Sequence, residues 1–358
     1  MRNKINSLQV GSLIFMVGMA PFMGIAIFAL LETSGIDAYL SVLIGGIMGF
    51  LFQMCFHVIA DYEPDLSLPE KMLKLYGKKI GWFCNVILIL SFMIMGISII
   101  YNLSNFIISQ FLSETPPLVI GLVFSLLVGF LVSKEIETIS RTSLLLFMIN
   151  ILFIIITILG LYPDVQLDNF KPFLENGISR SLKGSFYYLV LDAIPLITIL
   201  MIPKNTIVDK EKLKKVSSIF YILMIFMSFL VIFLTLGCLG IHLASFYQYP
   251  EYVVLKRISF FSFLDRIENI VTSQWIFFLF IALTFFVYSI THCIQFKSKG
   301  KILPYIISFT ILFLSQIFFK NNTIFNEYSL RMIPIIRIPL ISLIIITVMT
   351  IKIKKKLA

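Results

Sequence analysis

Apolar runs of about 20 residues, the length that crosses ~30 Å of hydrocarbon as α-helix, recur along the whole of this chain. That recurrence constrains the fold more than any other feature, because a buried span must satisfy its backbone hydrogen bonds within itself. Charge agrees with it. Only 13% of the 358 residues are charged, where a soluble domain carries about a quarter. The mean hydropathy is +0.98, and the chain reads as a polytopic, all-α integral membrane protein.

Hydropathy and helix breakers place ten transmembrane helices, at roughly 8–31, 38–60, 80–111, 117–133, 142–162, 183–203, 216–241, 273–296, 302–319 and 334–353. The first follows the short basic start MRNKINS and has no small-residue cleavage site, so it reads as a retained span, not a signal peptide. The segments on the N-terminal side carry twenty Lys and Arg and the opposite segments nine, counting 320–337 among the latter. By the positive-inside rule both termini are cytoplasmic. The formal charge of +10 therefore marks orientation in the membrane, and nucleic acid is not an expected partner. Cys55, Cys84, Cys238 and Cys293 fall in or beside apolar runs and read as free thiols. With the three histidines they form no zinc spacing, and no cofactor or metal is expected.

Two of the spans carry interruptions. In "FYYLVLDAIPLITILMIP" (186–203), Pro195 cannot donate to the carbonyl of Leu191, and Asp192 stands where it would cap a half-helix restarting at Ala193. In "FMVGMAPFMG" (15–24), Pro21 lies between Gly18 and Gly24 and would free the carbonyl of Val17. Both prolines sit a dozen or so residues into their spans, the first and the sixth. If the ten spans divide five plus five, the breaks correspond, and paired breaks point to a transporter-like central site between inverted repeats. The repeats would occupy about 8–162 and 183–353. A plain kink is the competing reading of each proline. Asp192 favours a site, since an acid at the bilayer centre costs at least ~2.5 kcal/mol unless it meets water or a partner.

Lesser candidates follow from depth alone. Met95 and Gly96 in span three, and Ala282, Phe285 and Tyr288 in span eight, fall near midplane as either site wall or ordinary packing. Tyr101, Asn102 and Asn105 line a vestibule or hydrogen-bond between helices. The connections 163–182 and 242–272 are too long for turns. In the second, Phe260, Phe263, Leu264 and Ile267 share one helical face, which makes either a resting amphipathic helix or a moving lid. "SLPEKMLKLYGKKIG" reads as an interfacial helix entering span three.

The loops carry a resemblance. "LDNFKPFLENGISRSLKGS" (167–185) and "YPEYVVLKRISFFSFLDRIENIVTSQW" (249–275), with "YGKKIGWF" and "SETPP", resemble the B-subunit family of endospore germinant receptors over the full length. That resemblance implies the amino acid/polyamine/organocation permease superfamily and its LeuT-like five-plus-five inverted repeat with broken helices one and six. It implies a small, often amino-acid germinant, partner A and C subunits, and the inner membrane of a dormant spore. It also implies a pocket among spans one, three, six and eight. Two departures stand out: "GMAPFMG" replaces a glycine-rich break, and no acid directly precedes Ile202-Pro203, so Asp192 lies further upstream than the family's acid.

The expected pocket comprises Val17, Gly18, Met19, Ala20, Pro21, Met95, Tyr188, Leu191, Asp192, Ile194, Ala282 and Phe285. The ligand's carboxylate would meet N–H groups near Gly18–Ala20, and its ammonium the carbonyls of Val17 and Leu191. An active amino acid/cation or proton symporter is the rival reading. A membrane enzyme finds no support in paired carboxylates, metal spacing or a nucleophile motif.

Overall fold

A computed structural model describes residues 4–174, 177–258, 267–294 and 301–357. They form twelve α-helices and, among the described residues, no strand beyond one bridge between Ile5 and Ile207. The helices are α1 (Ser7–Pro21), α2 (Ile27–Ser34), α3 (Ala38–Asp61), α4 (Leu68–Gln110), α5 (Pro117–Ser133) and α6 (Glu135–Leu161). They continue as α7 (Ile178–Tyr188), α8 (Leu213–Phe246), α9 (Pro250–Leu255), α10 (Ile267–Ile294), α11 (Leu303–Phe318) and α12 (Asn322–Leu357). Seven helical segments among the described residues are long and apolar enough to cross a membrane, and α5 and α11 are shorter apolar helices. The chain is thus a multi-pass membrane protein.

Local chemistry fixes several boundaries. Asn6 and Gln9 form a capping box that starts α1, each accepting the other's backbone N–H at 2.8 Å. Ser67 and Glu70 start α4 in the same way. That helix bends at Gly77 (φ 77°), which sets its first ten residues apart from the rest. The amphipathic face of Phe260, Phe263, Leu264 and Ile267 lies outside the described residues and side chains.

The last span departs from expectation. Helix α12 begins at Asn322, with Asn321 capping the N–H of Ile324 at 2.9 Å, and runs on through Pro334 and Pro339. The prolines and charges of 320–337 look like a loop, yet Arg337 is wholly buried within the helix. It is no loop charge, and without it the positive-inside bias becomes larger.

Packing depends on small residues, because lipid supplies little hydrophobic drive for helices to associate. On α3, Gly45 meets α7 and Gly49 meets α8 and Ala193. A Cβ at Gly45 would stand 2.6 Å from the carbonyl oxygen of Ser185, and one at Gly49 2.0 Å from the Tyr221 hydroxyl oxygen. On the far side of the bundle, α4 packs along α10, with Phe92 and Phe286 stacked at 6.2 Å, and α5 along α11. Ser125 and Ser308 bond reciprocally there: Ser308 Oγ donates to the Ser125 carbonyl at 2.9 Å, and Ser125 Oγ to the Ser308 carbonyl at 3.4 Å.

Both ends of the bundle are tied. At the N-terminal end, the Val208 N–H donates to the Ile5 carbonyl at 2.9 Å. The backbone and side chain of Ser7 both donate to Asp209, and Lys204 pairs with Asp61. The buried Lys71 caps α3 from within, donating to the carbonyls of Ile59 (2.8 Å) and Ala60 (3.0 Å). At the opposite end, Asp37 accepts from the Leu174 N–H at 3.1 Å and Asn169 donates to the Gly237 carbonyl at 2.7 Å.

Candidate functional site

Span one is broken, although not at its proline. Pro21 keeps helical angles (φ −70°, ψ −22°), and the chain leaves the helix at Met23 (ψ 117°) and Gly24 (φ 75°), inside a π turn over Phe22–Ala26. A proline removes a donor but tolerates helical φ, whereas a positive φ strongly favours glycine. Gly24, not Pro21, therefore sets the break. The Met23 carbonyl accepts the Asn102 side-chain amide from α4 at 2.9 Å.

Span six corrects the expectation more strongly. After α7, residues Leu189–Ala193 form a π turn and Ile194–Met201 continue as 3₁₀-helix. Ala193 (φ −84°, ψ −44°) and Ile194 (φ −64°, ψ −39°) stay helical, so no gap separates two half-helices. Pro195 falls at the second position of the 3₁₀ stretch, where its missing N–H costs little. Asp192 caps nothing: it is fully buried and neither carboxylate oxygen has a hydrogen-bond partner. The Tyr188 and Tyr221 phenols lie within its electrostatic reach. Their hydrogen bonds go elsewhere, from Tyr188 to Ser228 Oγ and from Tyr221 to the Gly46 carbonyl, each at 3.3 Å.

The other expected pocket residues lie in the same core. Val17, Gly18, Met19, Ala20 and Pro21 are buried along α1, where a Cβ on Gly18 would lie 2.0 Å from Met224 Sδ. Ser228 donates weakly to Met19 Sδ at 3.5 Å, which joins Met19 to Tyr188 and the Asp192 neighbourhood. Leu191 and Ile194 are buried beside Asp192 in span six. Met95 on α4 and Ala282 and Phe285 on α10 are buried, and those two helices pack together. The α1 break, the π turn and α10 all pack against α1.

Two cavities flank this core. One of about 360 Å³ is lined by Met19, Met23, Met227, Leu230, Gln274 and Phe278. The other, of about 470 Å³, lies toward the N-terminal end and includes Gln53, His57, Lys204 and Ser217. The span-three candidates Tyr101, Asn102 and Asn105 bond to other elements: Tyr101 donates to Asn322 Oδ1 at 3.1 Å, Asn105 to the Tyr249 hydroxyl, and Asn102 to the Met23 carbonyl.

Sequence reasoning missed three buried polar groups. Arg337 has no partner for any guanidinium nitrogen, Glu251 none for either carboxylate oxygen, and Trp275 none for Nε1. A lone arginine within "MIPIIRIPLISL" was a readable signal, masked by its count among loop charges. The burial of Glu251 was not readable, because it depends on how α9 folds inward.

A family model described as "Spore germination protein" matches residues 4–324. The chain is 22% identical to spore germination protein XB of Bacillus anthracis over 290 residues, covering 79% of this chain and 78% of that one. It is 23% identical to spore germination protein KB of Bacillus subtilis (strain 168) over 237 residues, 66% of this chain and 64% of the relative. A third relative, spore germination protein YndE of the same strain, is 23% identical over 154 residues, 43% of this chain and 42% of that protein.

Proposed function

The chain belongs to the spore germination protein family, and from that premise we propose that it is the B-type membrane subunit of a germinant receptor. In this reading it binds a small, amino-acid-like germinant in a permease-like centre and signals through A and C subunits in the spore inner membrane. The observation that carries it is the left-handed break at Met23–Gly24 lying against the π turn of span six. Two interrupted spans in contact are the arrangement in which transporters hold small ligands.

Ten crossings in two inverted halves follow if the 55-residue segment Ser7–Asp61 crosses twice, turning at Gly35, and α5 and α11 cross as short spans. Both termini are then cytoplasmic. The germinant pocket we propose comprises Met19, Ala20 and Pro21 before the break and Tyr188, Leu191, Asp192 and Ile194 in span six. Val17, Gly18, Met95, Ala282 and Phe285 would form its outer wall. Binding biases two arrangements of the interrupted spans, and the partner subunits read the difference.

Spores lacking only this chain are expected to lose response to one class of germinant, which also names the ligand. An Asp192→Asn variant then tests the acid: a shifted dose dependence supports its role, and an unchanged one removes it. The unpartnered carboxylate of Asp192 favours a second reading, a proton- or cation-coupled amino acid symporter. Saturable, gradient-driven uptake of labelled amino acid by the reconstituted chain would establish transport and rule out pure sensing.

A further inference from the structure

The larger of the two cavities, about 470 Å³, lies where four elements converge. Val10 and Ile14 of α1, Phe56 of α3, Leu196 and Leu200 of the 3₁₀ stretch of span six and Leu213 of α8 make much of its wall. An apolar wall with polar side chains at a few points is the usual make-up of a small-molecule site. None of the residues assigned to the germinant pocket lines it.

Two polar residues of α3 border this space with unspent hydrogen-bonding capacity. Gln53 and His57 stand four residues apart on the helix, which makes their side chains neighbours. Gln53 is only 4% exposed, and its amide has no partner among the described residues. The tautomer of His57 follows from the residue beside it. Ser217 Oγ donates its one hydrogen to the Leu213 carbonyl at 2.7 Å, so toward His57 Nε2, at 3.1 Å, it accepts. Nε2 therefore carries the ring hydrogen, and Nδ1 of the neutral imidazole keeps its lone pair. No described residue donates to Nδ1.

An amide hydrogen beside an imidazole lone pair complements a carboxyl group. Its carbonyl oxygen accepts from the Gln53 amide while its O–H donates to His57 Nδ1. If the proton passes to Nδ1, the pair becomes carboxylate and imidazolium, and no net charge is buried in either form. The approach favours an acid over an amine. Residues 204–215, which lend Lys204, Ile207 and Leu213 to the cavity, hold five lysines against two acids. Lys204 itself is held at the rim by Asp61.

We propose that this cavity binds a small aliphatic carboxylic acid, its head on Gln53 and His57 and its chain along Ile14, Phe56 and Leu200. The site is separate from the pocket around Asp192 and does not depend on what that pocket binds. Its occupant would touch both α1 and the 3₁₀ stretch, and so join the two interrupted spans near the end that Ile5 and Ile207 already tie.

The test uses the purified full chain in nanodiscs and octanoic acid carrying a diazirine at the end of its chain. Photolabelling mapped by mass spectrometry is expected to mark α1, α3 or residues 196–207 in a saturable way. Excess octanoic acid should displace the label. Octyltrimethylammonium, with the same tail and the opposite charge, and acetate, a head without a tail, should not. Gln53→Leu and His57→Phe should each cut the labelling of these segments at least tenfold while Asp192→Asn leaves it intact. Unsaturable label spread over exposed apolar residues, such as those of α5, means partition into the bilayer only and overturns the proposal without recourse to any variant. Displacement by octyltrimethylammonium as effective as by octanoic acid overturns it too, as does full labelling of both Gln53→Leu and His57→Phe. None of these results bears on the germinant pocket, which the Asp192 dose dependence tests.

Discussion

The Asn102 side chain holds the Met23 carbonyl at 2.9 Å, pinning α4 to the point where span one leaves the helix. A freed carbonyl in hydrocarbon has few alternatives, and leaving it unmet costs about 1–3 kcal/mol. Asn102→Leu is accordingly expected to lower the thermal midpoint of the nanodisc-embedded chain by several degrees. An unchanged midpoint would mean that water or another donor reaches Met23.

Gly24→Ala should be worse. The positive φ of 75° costs an L-residue roughly 1 kcal/mol, and the new methyl would meet Asn102 and Trp275 inside contact distance. Loss of germinant response in spores, with the protein still inserted in the membrane, is the expected readout. A wild-type response would show that the break does not need its left-handed turn.

Arg337 separates stability from function. A buried cation without a partner is destabilising, and replacing such a group with an apolar one of similar size is often neutral or stabilising. Arg337→Met should therefore match or exceed the wild-type thermal midpoint. A fall of several degrees would argue that the guanidinium is satisfied in the membrane-embedded protein. A response lost together with an unimpaired midpoint would mark Arg337 as a ligand or partner contact.

Burial pushes the Glu251 carboxyl up to about 8. A raised folded-state value favours folding fully below the usual carboxylate range, and that contribution is lost as pH climbs toward about 8. Thermal midpoints of the wild-type chain and Glu251→Gln in nanodiscs at about pH 5, 7 and 8 read this. The wild type should lose ground to the variant as pH rises, and a constant difference would contradict it.

Asp209 behaves the other way. Partial burial would raise its carboxyl, but the hydrogen bonds from Ser7 outweigh this and hold it below the usual carboxylate range. Its stabilising contribution is present above that range and disappears as pH falls through the depressed value. Asp209→Asn should flatten the acidic limb of thermal stability between about pH 5 and 3. An identical limb in both proteins would remove Asp209 from the account.

Much of the architecture was legible because hydropathy and breakers act locally. Residues 117–133 are read as a span and form α5 over the same bounds, and 38–60 becomes Ala38–Asp61. The breaks were less legible, since a proline announces a lost donor but not where backbone angles change. That choice fell to Gly24, three residues beyond Pro21, and in span six to a π turn that absorbs the disturbance without a gap. Tertiary contacts decided the rest. Nothing local in "YPEYVV" says that Glu251 is buried, and nothing in "MIPIIRIP" says that helix continues through both prolines.

The reciprocal bonds of Ser125 and Ser308 have a mechanical meaning. Sliding α5 along α11 by one turn, about 5.4 Å, would break both bonds at once, in a medium with no water to replace them. The turn at Gly24 is held differently, by the single Asn102 amide on the Met23 carbonyl. The serine pair, by contrast, fixes the register of α5 against α11, and a displacement of one along the other has to lose both bonds together.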